Sequence, residues 1–183
     1  IDIYLFDQIQ KGRFSPDMKI LDAGCGGGRN IVYFLREGFD VYAVDQNPKA
    51  ADQIKRLAKT LAPNLPSSNF QTSPVERMAF PDQHFDWIIS NAVLHFAENP
   101  TQFNQMLFEM WRTLKIDGRL FVRLASSIGI ENLVVPTERG RYDLPDGSER
   151  FLVTEELLLM ATENLRADLL EPIKTTNVQN LRC

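Results

Sequence analysis

The chain has 183 residues, enough for one domain with a full-sized core and few for two. Its 44% hydrophobic and 24% charged content is ordinary for a globular protein, and a net charge of −4 offers no general attraction to nucleic-acid phosphates. No apolar run approaches the ~18 residues that span a bilayer, no signal-peptide pattern opens the chain, and Cys25 and Cys183 give neither a disulfide framework nor metal-ligand spacing. The expectation is a cytoplasmic protein with no membrane, nucleic-acid or metal partner.

In chain order, Ile1, Leu5 and Ile9 share one side of a short helix reaching about Gly12. Residues 19–23 read as a first strand. Ile31, Val32, Phe34 and Leu35 then line a helix that Gly38 stops. A second strand at 39–44 leads to Asn47-Pro48, a helix cap followed by proline in the first turn. Ile54, Leu57, Ala58 and Leu61 are the buried stripe of that helix.

After a polar loop at 63–68, a short third strand falls at 69–72 and a fourth at 85–90, ending at Asn91. Asn99-Pro100 repeats the capping device before a helix with Phe103, Met106, Leu107, Met110 and Leu114 inward. Asp117-Gly118 turns into a fifth strand at 119–124. The pattern then breaks into glycine, proline and charge over 126–153. Thr154 restarts a helix through Ala161, 168–175 reads as a further strand, and another starts towards Cys183. Strands alternating with helices imply a parallel sheet, so the fold class is α/β: a doubly wound, mostly parallel sandwich in one domain.

In such a sheet, ligands sit at the carboxyl ends of strands where the winding reverses. Asp22-Ala23-Gly24-Cys25-Gly26-Gly27-Gly28 closes the first strand directly before a helix. Four glycines in the five positions 24–28 are more than a tight turn needs, since each weakens the fold by ~0.5–1 kcal/mol. A ligand that approaches bare main chain accounts for them. The dinucleotide fingerprint G-x-G-x-x-G fails in both registers, because its third glycine falls on Arg29 or on Ile31. The phosphate-loop signature is absent as well.

The segment does match D-x-G-x-G-x-G through Asp22, Gly24, Gly26 and Gly28. It resembles motif I of the class I S-adenosylmethionine-dependent methyltransferases, of the type that modify small molecules. The resemblance continues at Asp45, where the family places an acid on the ribose hydroxyls. It extends to Phe80-Pro81-Asp82 with Phe85-Asp86, to Ser90-Asn91-Ala92-Val93-Leu94-His95, and to Leu114-Lys115-Ile116-Asp117-Gly118-Arg119-Leu120. It covers roughly residues 19–124. One departure stands out: the Asp-Ala pair that touches adenine in many relatives is Pro74-Val75 here. Proline can neither accept from the exocyclic amine nor donate a backbone N–H.

The resemblance implies a Rossmann-like methyltransferase domain over residues 1–183; the irregular stretch 126–153, longer than the ~12–15 residues of ordinary connections and following the fifth strand, is expected to be an acceptor-binding cap. S-adenosylmethionine would be the donor and S-adenosylhomocysteine the product. The implied cofactor residues are Asp22, Gly24, Cys25, Gly26, Asp45, Gln46, Val75, Glu76, Asn91 and Ala92, with Arg13 and Arg29 as candidate partners of the donor carboxylate. A sulfonium methyl is already primed for in-line attack, so alignment is the protein's main task. His95 is the candidate base, although a hydrogen-bonding or packing role suits it better. His84 is expected to be exposed in its loop. His95, Arg141 and Tyr142, with Arg139, are the candidates for the acceptor side. Two rivals remain: a donor-binding protein without catalysis, and a nicotinamide-dependent oxidoreductase.

Overall fold

A computed structural model describes residues 1–176 of the chain. Cys183, and with it any strand starting there, lies outside the described residues. The described chain forms two compact units, one of Ile1–Asn91 with Glu109–Val122, the other of Ala92–Phe108 with the chain from Arg123 onward.

The first unit opens with α1 (Ile3–Gln10), shorter than the sequence suggested. Asp2 is its cap, accepting from Tyr4 N at 2.9 Å and Leu5 N at 3.3 Å, and Gly12 leaves with φ +65°. Then follow β1 (Lys19–Ala23), α2 (Val32–Arg36), β2 (Asp40–Asp45), α3 (Pro48–Leu61), β3 (Phe70–Thr72) and β4 (Phe85–Asn91). Gly38 ends the α2 region at φ +79°, and Asn47 caps α3 by accepting from Lys49 N at 3.0 Å, both as the sequence indicates.

Next come α4 (Pro100–Thr113), with Asn99 accepting from Gln102 N at 2.9 Å, and β5 (Leu114–Arg123), both continuous through the boundary between the units. β5 begins earlier than expected. The turn foreseen at Asp117-Gly118 is a kink inside a continuous strand, with Asp117 at φ +63°.

The five strands form one sheet in the order β3-β2-β1-β4-β5, and the β1–β2, β1–β4 and β2–β3 pairings are parallel. The chain winds outward from β1 to β2 and β3, then returns to place β4 on the other side of β1. The switch point of this doubly wound α/β sheet therefore lies between β1 and β4. On one face Ile20, Val41, Ala43, Trp87 and Ile89 join Leu5, Phe34, Leu35, Ile54 and Ala58 in the main core.

A brace fixes the chain that leads into β4. Arg112 pairs with Glu109 and Asp82 and also donates to the carbonyls of Met78 (3.2 Å) and Phe80 (3.0 Å), while Glu109 accepts from Met78 N at 2.8 Å. The hydrogen bonds from Arg112 hold the Glu109 carboxyl below the usual range. The guanidinium is partly exposed, which discounts its ion pairs. Arg112→Ala should still cost about 1–2 kcal/mol through the carbonyls left without a donor. Urea denaturation checks this; a midpoint equal to wild type would show the brace to be idle.

In the second unit, residues 126–153 are more regular than expected. They hold β6 (Val135–Pro136), β7 (Arg141–Asp143) and β8 (Glu149–Phe151) in an antiparallel sheet over a small core of Ala125, Leu144 and Leu152. Thr154 caps α5 (Glu155–Asn164) by accepting from Leu157 N at 3.2 Å. The strand expected at 168–175 does not form. Leu169 and Leu170 are exposed there, and among the described residues no strand pairs with them.

Candidate functional site

The glycine turn leaves the end of β1 at the switch point. Gly24 N and Cys25 N both donate to Val44 O, at 2.9 and 3.0 Å, stitching the turn to the end of β2. Gly26 N donates to Asp45 Oδ2 at 2.8 Å, and Asp45 Oδ1 accepts from Asn47 N at 2.9 Å. One carboxylate thus fixes both the turn and the start of α3. Gly24, Gly26 and Gly28 all have positive φ, and Gly28 lies so close to α3 that a Cβ there would sit 2.1 Å from Ile54 Cδ1.

The register brings three of the expected side chains to one face. Asp22 pairs with Ala43 of β2 and with Ile89 of β4. Asp45 and Asn91 lie two residues beyond those partners, so all three share that face at the carboxyl ends of adjacent strands. Asp22 is only 1% exposed, and among the described residues neither its Oδ2 nor the buried Asn91 Nδ2 has a hydrogen-bond partner. Burial, reinforced by the Asp45 charge and opposed by Arg29, pushes the Asp22 carboxyl up to about 7. Burial also drives the Cys25 thiol well above its ordinary range, so it stays protonated.

Buried polar groups are normally satisfied, and each exception asks for an explanation. A ligand that offers a donor to Asp22 and an acceptor to Asn91 supplies one. Ser90, fully buried on the opposite face, also has an unpartnered hydroxyl. Sequence reasoning gave Ser90 no role, although a hydroxyl after Trp87-Ile88-Ile89 in a buried strand was a visible signal.

Of the other expected residues in this unit, Gln46 is exposed and Val75 buried in a turn closed by Arg77 N to Pro74 O at 3.2 Å. Ser73 N donates to Asp45 O at 3.0 Å, which ties that turn, with half-buried Glu76, to the end of β2. Arg29 is exposed and acts on Asp22 through its charge. Arg13 instead donates to Gln8 Oε1 of α1, and its carbonyl accepts from Trp87 Nε1 and Arg119. Asn30 was not anticipated: its Oδ1 accepts from Asp2 N at 3.0 Å and couples the glycine turn to α1. His84 is half-buried rather than exposed, edge-on to Tyr42 and Phe85.

In the second unit, Ala92 is exposed with φ +60°, a strained conformation for a residue with a Cβ. His95 is buried, and its Nδ1 accepts from Ala125 N at 3.2 Å. With Nδ1 engaged as an acceptor, the ring in its neutral form carries its proton on Nε2. Arg141 donates to Ala97 O at 2.7 Å and Glu149 O at 3.1 Å, and pairs with the Glu149 carboxylate at 3.2 Å. All three of its guanidinium nitrogens are engaged within the unit, so it braces β7. Tyr142 packs on the small core, and Arg139 has φ +65°.

Comparison with known proteins supplies the family. The family model described as "Methyltransferase domain" matches residues 21–122, more than half of the chain. The chain belongs to the methyltransferase domain family. An uncharacterized methyltransferase of Synechocystis is 31% identical over 104 residues, covering 57% of this chain and 45% of that protein. The mitochondrial ubiquinone biosynthesis O-methyltransferase of Schizosaccharomyces pombe is 33% identical over 145 residues, covering 76% and 51%. The chain thus spans about half the length of the curated relatives it matches. A solved Burkholderia thailandensis 1,6-didemethyltoxoflavin-N1-methyltransferase, with bound 1,6-didemethyltoxoflavin and S-adenosylhomocysteine, shares the fold at TM-score 0.60 and 24% identity, over 86% of this chain and 62% of its own. Among the described residues no helix is long and apolar enough to cross a membrane.

Proposed function

We propose that this methyltransferase domain binds S-adenosylmethionine at the glycine turn and transfers its methyl group to a small-molecule acceptor. The observation that carries the reading is the pairing of Asp22 Oδ2 with Asn91 Nδ2: two buried, unpartnered atoms of opposite hydrogen-bonding character on one face at the switch point. The amino-acid end of the donor has the matching pair, an ammonium for Asp22 and a carboxylate for Asn91 and Arg29. Asp45 accepts from the ribose hydroxyls with the charge-assisted bonds a carboxylate gives to vicinal diols. The turn that holds Val75 and Glu76 meets the adenine.

When bound, the donor supplies a methyl group on a positively charged sulfur, ready for displacement. The chain's task is to hold that sulfur, the methyl and the acceptor in line, and orientation of this kind is worth ~7–11 kcal/mol. The stiff ends of β1, β2 and β4 suit it. We assign acceptor recognition to residues 126–153, with Tyr142 as its candidate contact and Arg141 shaping the segment. His95 acts as a positioning residue by holding Ala125. The names of the relatives, a ubiquinone-pathway O-methyltransferase and a toxoflavin N-methyltransferase, support a small acceptor of this kind. The acidic net charge points the same way, and a cytoplasmic setting fits.

Asp45→Ala should weaken S-adenosylhomocysteine binding at least about tenfold, or 1.4 kcal/mol, by titration calorimetry. Wild-type affinity in that variant would remove Asp45 from the site. Uptake of NAD in place of the nucleoside would replace the whole reading.

A further inference from the structure

Asp22 is in an unusual position for a carboxylate. It is 1% exposed in the middle strand of a sheet, and among the described residues Oδ2 has no donor. A buried anion needs a cation or several N–H groups to hold it. What faces it offers neither: β2 brings the like charge of Asp45, β4 the neutral Asn91, and the turn the protonated Cys25 thiol. Among the described residues the opposing charge is that of Arg29, which is exposed and therefore screened. Ionised Asp22 beside ionised Asp45 puts two negative charges on one face with Asp45 already tied to Gly26 N.

We propose that Asp22 exchanges its proton for the cationic end of the donor, so that each molecule bound releases one proton to the buffer. The inference rests on the donor reading above. The carboxyl O–H bond breaks, its proton passes to the buffer base, and the ammonium of the ligand takes its place as partner of the resulting carboxylate. Burial that lifts the Asp22 carboxyl to about 7 makes the exchange visible near neutral pH. The sign follows: below that point the proton competes with the ligand, and apparent affinity falls about tenfold for each further pH unit.

The experiment is calorimetry of the whole chain with S-adenosylhomocysteine, in phosphate and in imidazole, at about pH 6 and again at about pH 8.5. Near pH 6 the binding enthalpy should shift with the buffer's ionisation enthalpy by close to one proton, and near pH 8.5 by almost none. 5′-Methylthioadenosine, which lacks the amino-acid end, should bind with no release at either pH. Binding whose enthalpy ignores the buffer near pH 6, or equal release with 5′-methylthioadenosine, overturns the exchange while leaving the donor site standing. If S-adenosylhomocysteine does not bind at all, the donor reading falls and the exchange falls with it.

Discussion

Gly28→Ala should destabilise the protein by about 2–4 kcal/mol, while Gly27→Ala, one residue earlier, should leave it within about 0.5 kcal/mol of wild type. At Gly28 two costs add. The added Cβ would meet Ile54 Cδ1 at 2.1 Å and Leu57 Cδ2 at 3.3 Å, and Ile54 is fully buried, so its side chain must shift within a packed core. Overpacking of this sort typically costs 1–3 kcal/mol, and φ +77° adds roughly 1 kcal/mol for any residue with a Cβ. At Gly27 the nearest atom is Gln53 Nε2, at 3.4 Å on a flexible side chain, and the residue is exposed. The comparison separates the demand of the α3 contact from a general need for glycine. Thermal and urea unfolding of both variants decides it: equal losses at the two positions would mean that the close approach to α3 is not what requires glycine.

That contrast also shows how far the sequence can be read. Asp22, Asp45 and Asn91 were visible because strand ends and glycine turns are local signals, and a parallel sheet brings local strand ends to one edge. Their common face needed only the two-residue period of the strands and the pairing register. Gly28 was legible as part of a pattern but not as a contact, because Ile54 lies 26 positions away and one helix later.

What the sequence left unread has the same origin. The hairpin at Leu144-Pro145-Asp146-Gly147-Ser148, closed by Leu144 N to Ser148 O at 2.9 Å, carries a Pro-Asp-Gly turn signal. Its strands, Arg141–Asp143 and Glu149–Phe151, are three residues each and too short for alternation to register. Conversely, 168–175 has the apolar content of a strand but no ladder partner among the described residues. Arg141 was chosen for its charge, and its two nearest commitments, Ala97 O and Glu149, lie 44 and 8 residues distant. Nor could the sequence reveal that the His95 Nδ1 faces Ala125 N, which decides the tautomer.

The largest effect belongs to Asp22→Asn, which should make the protein more stable as it damages the site. The folded carboxyl titrates near 7 against an ordinary 3.8, so the folded state holds a proton that the unfolded chain has already lost. This group's contribution is fully favourable below about pH 4 and is lost as pH rises towards 7, a span of roughly 3 units or on the order of 4 kcal/mol. Asparagine has the same shape and cannot ionise, so it escapes that loss. The variant should match wild type near pH 4 and exceed it by up to about 4 kcal/mol near pH 8. Chemical denaturation at several pH values measures the gap, and a difference independent of pH would show that Asp22 carries no burial penalty. The gain at high pH and the loss of ligand affinity would have one cause: a carboxyl kept in a buried strand at the expense of the fold, a cost that the proposed ammonium partner would offset.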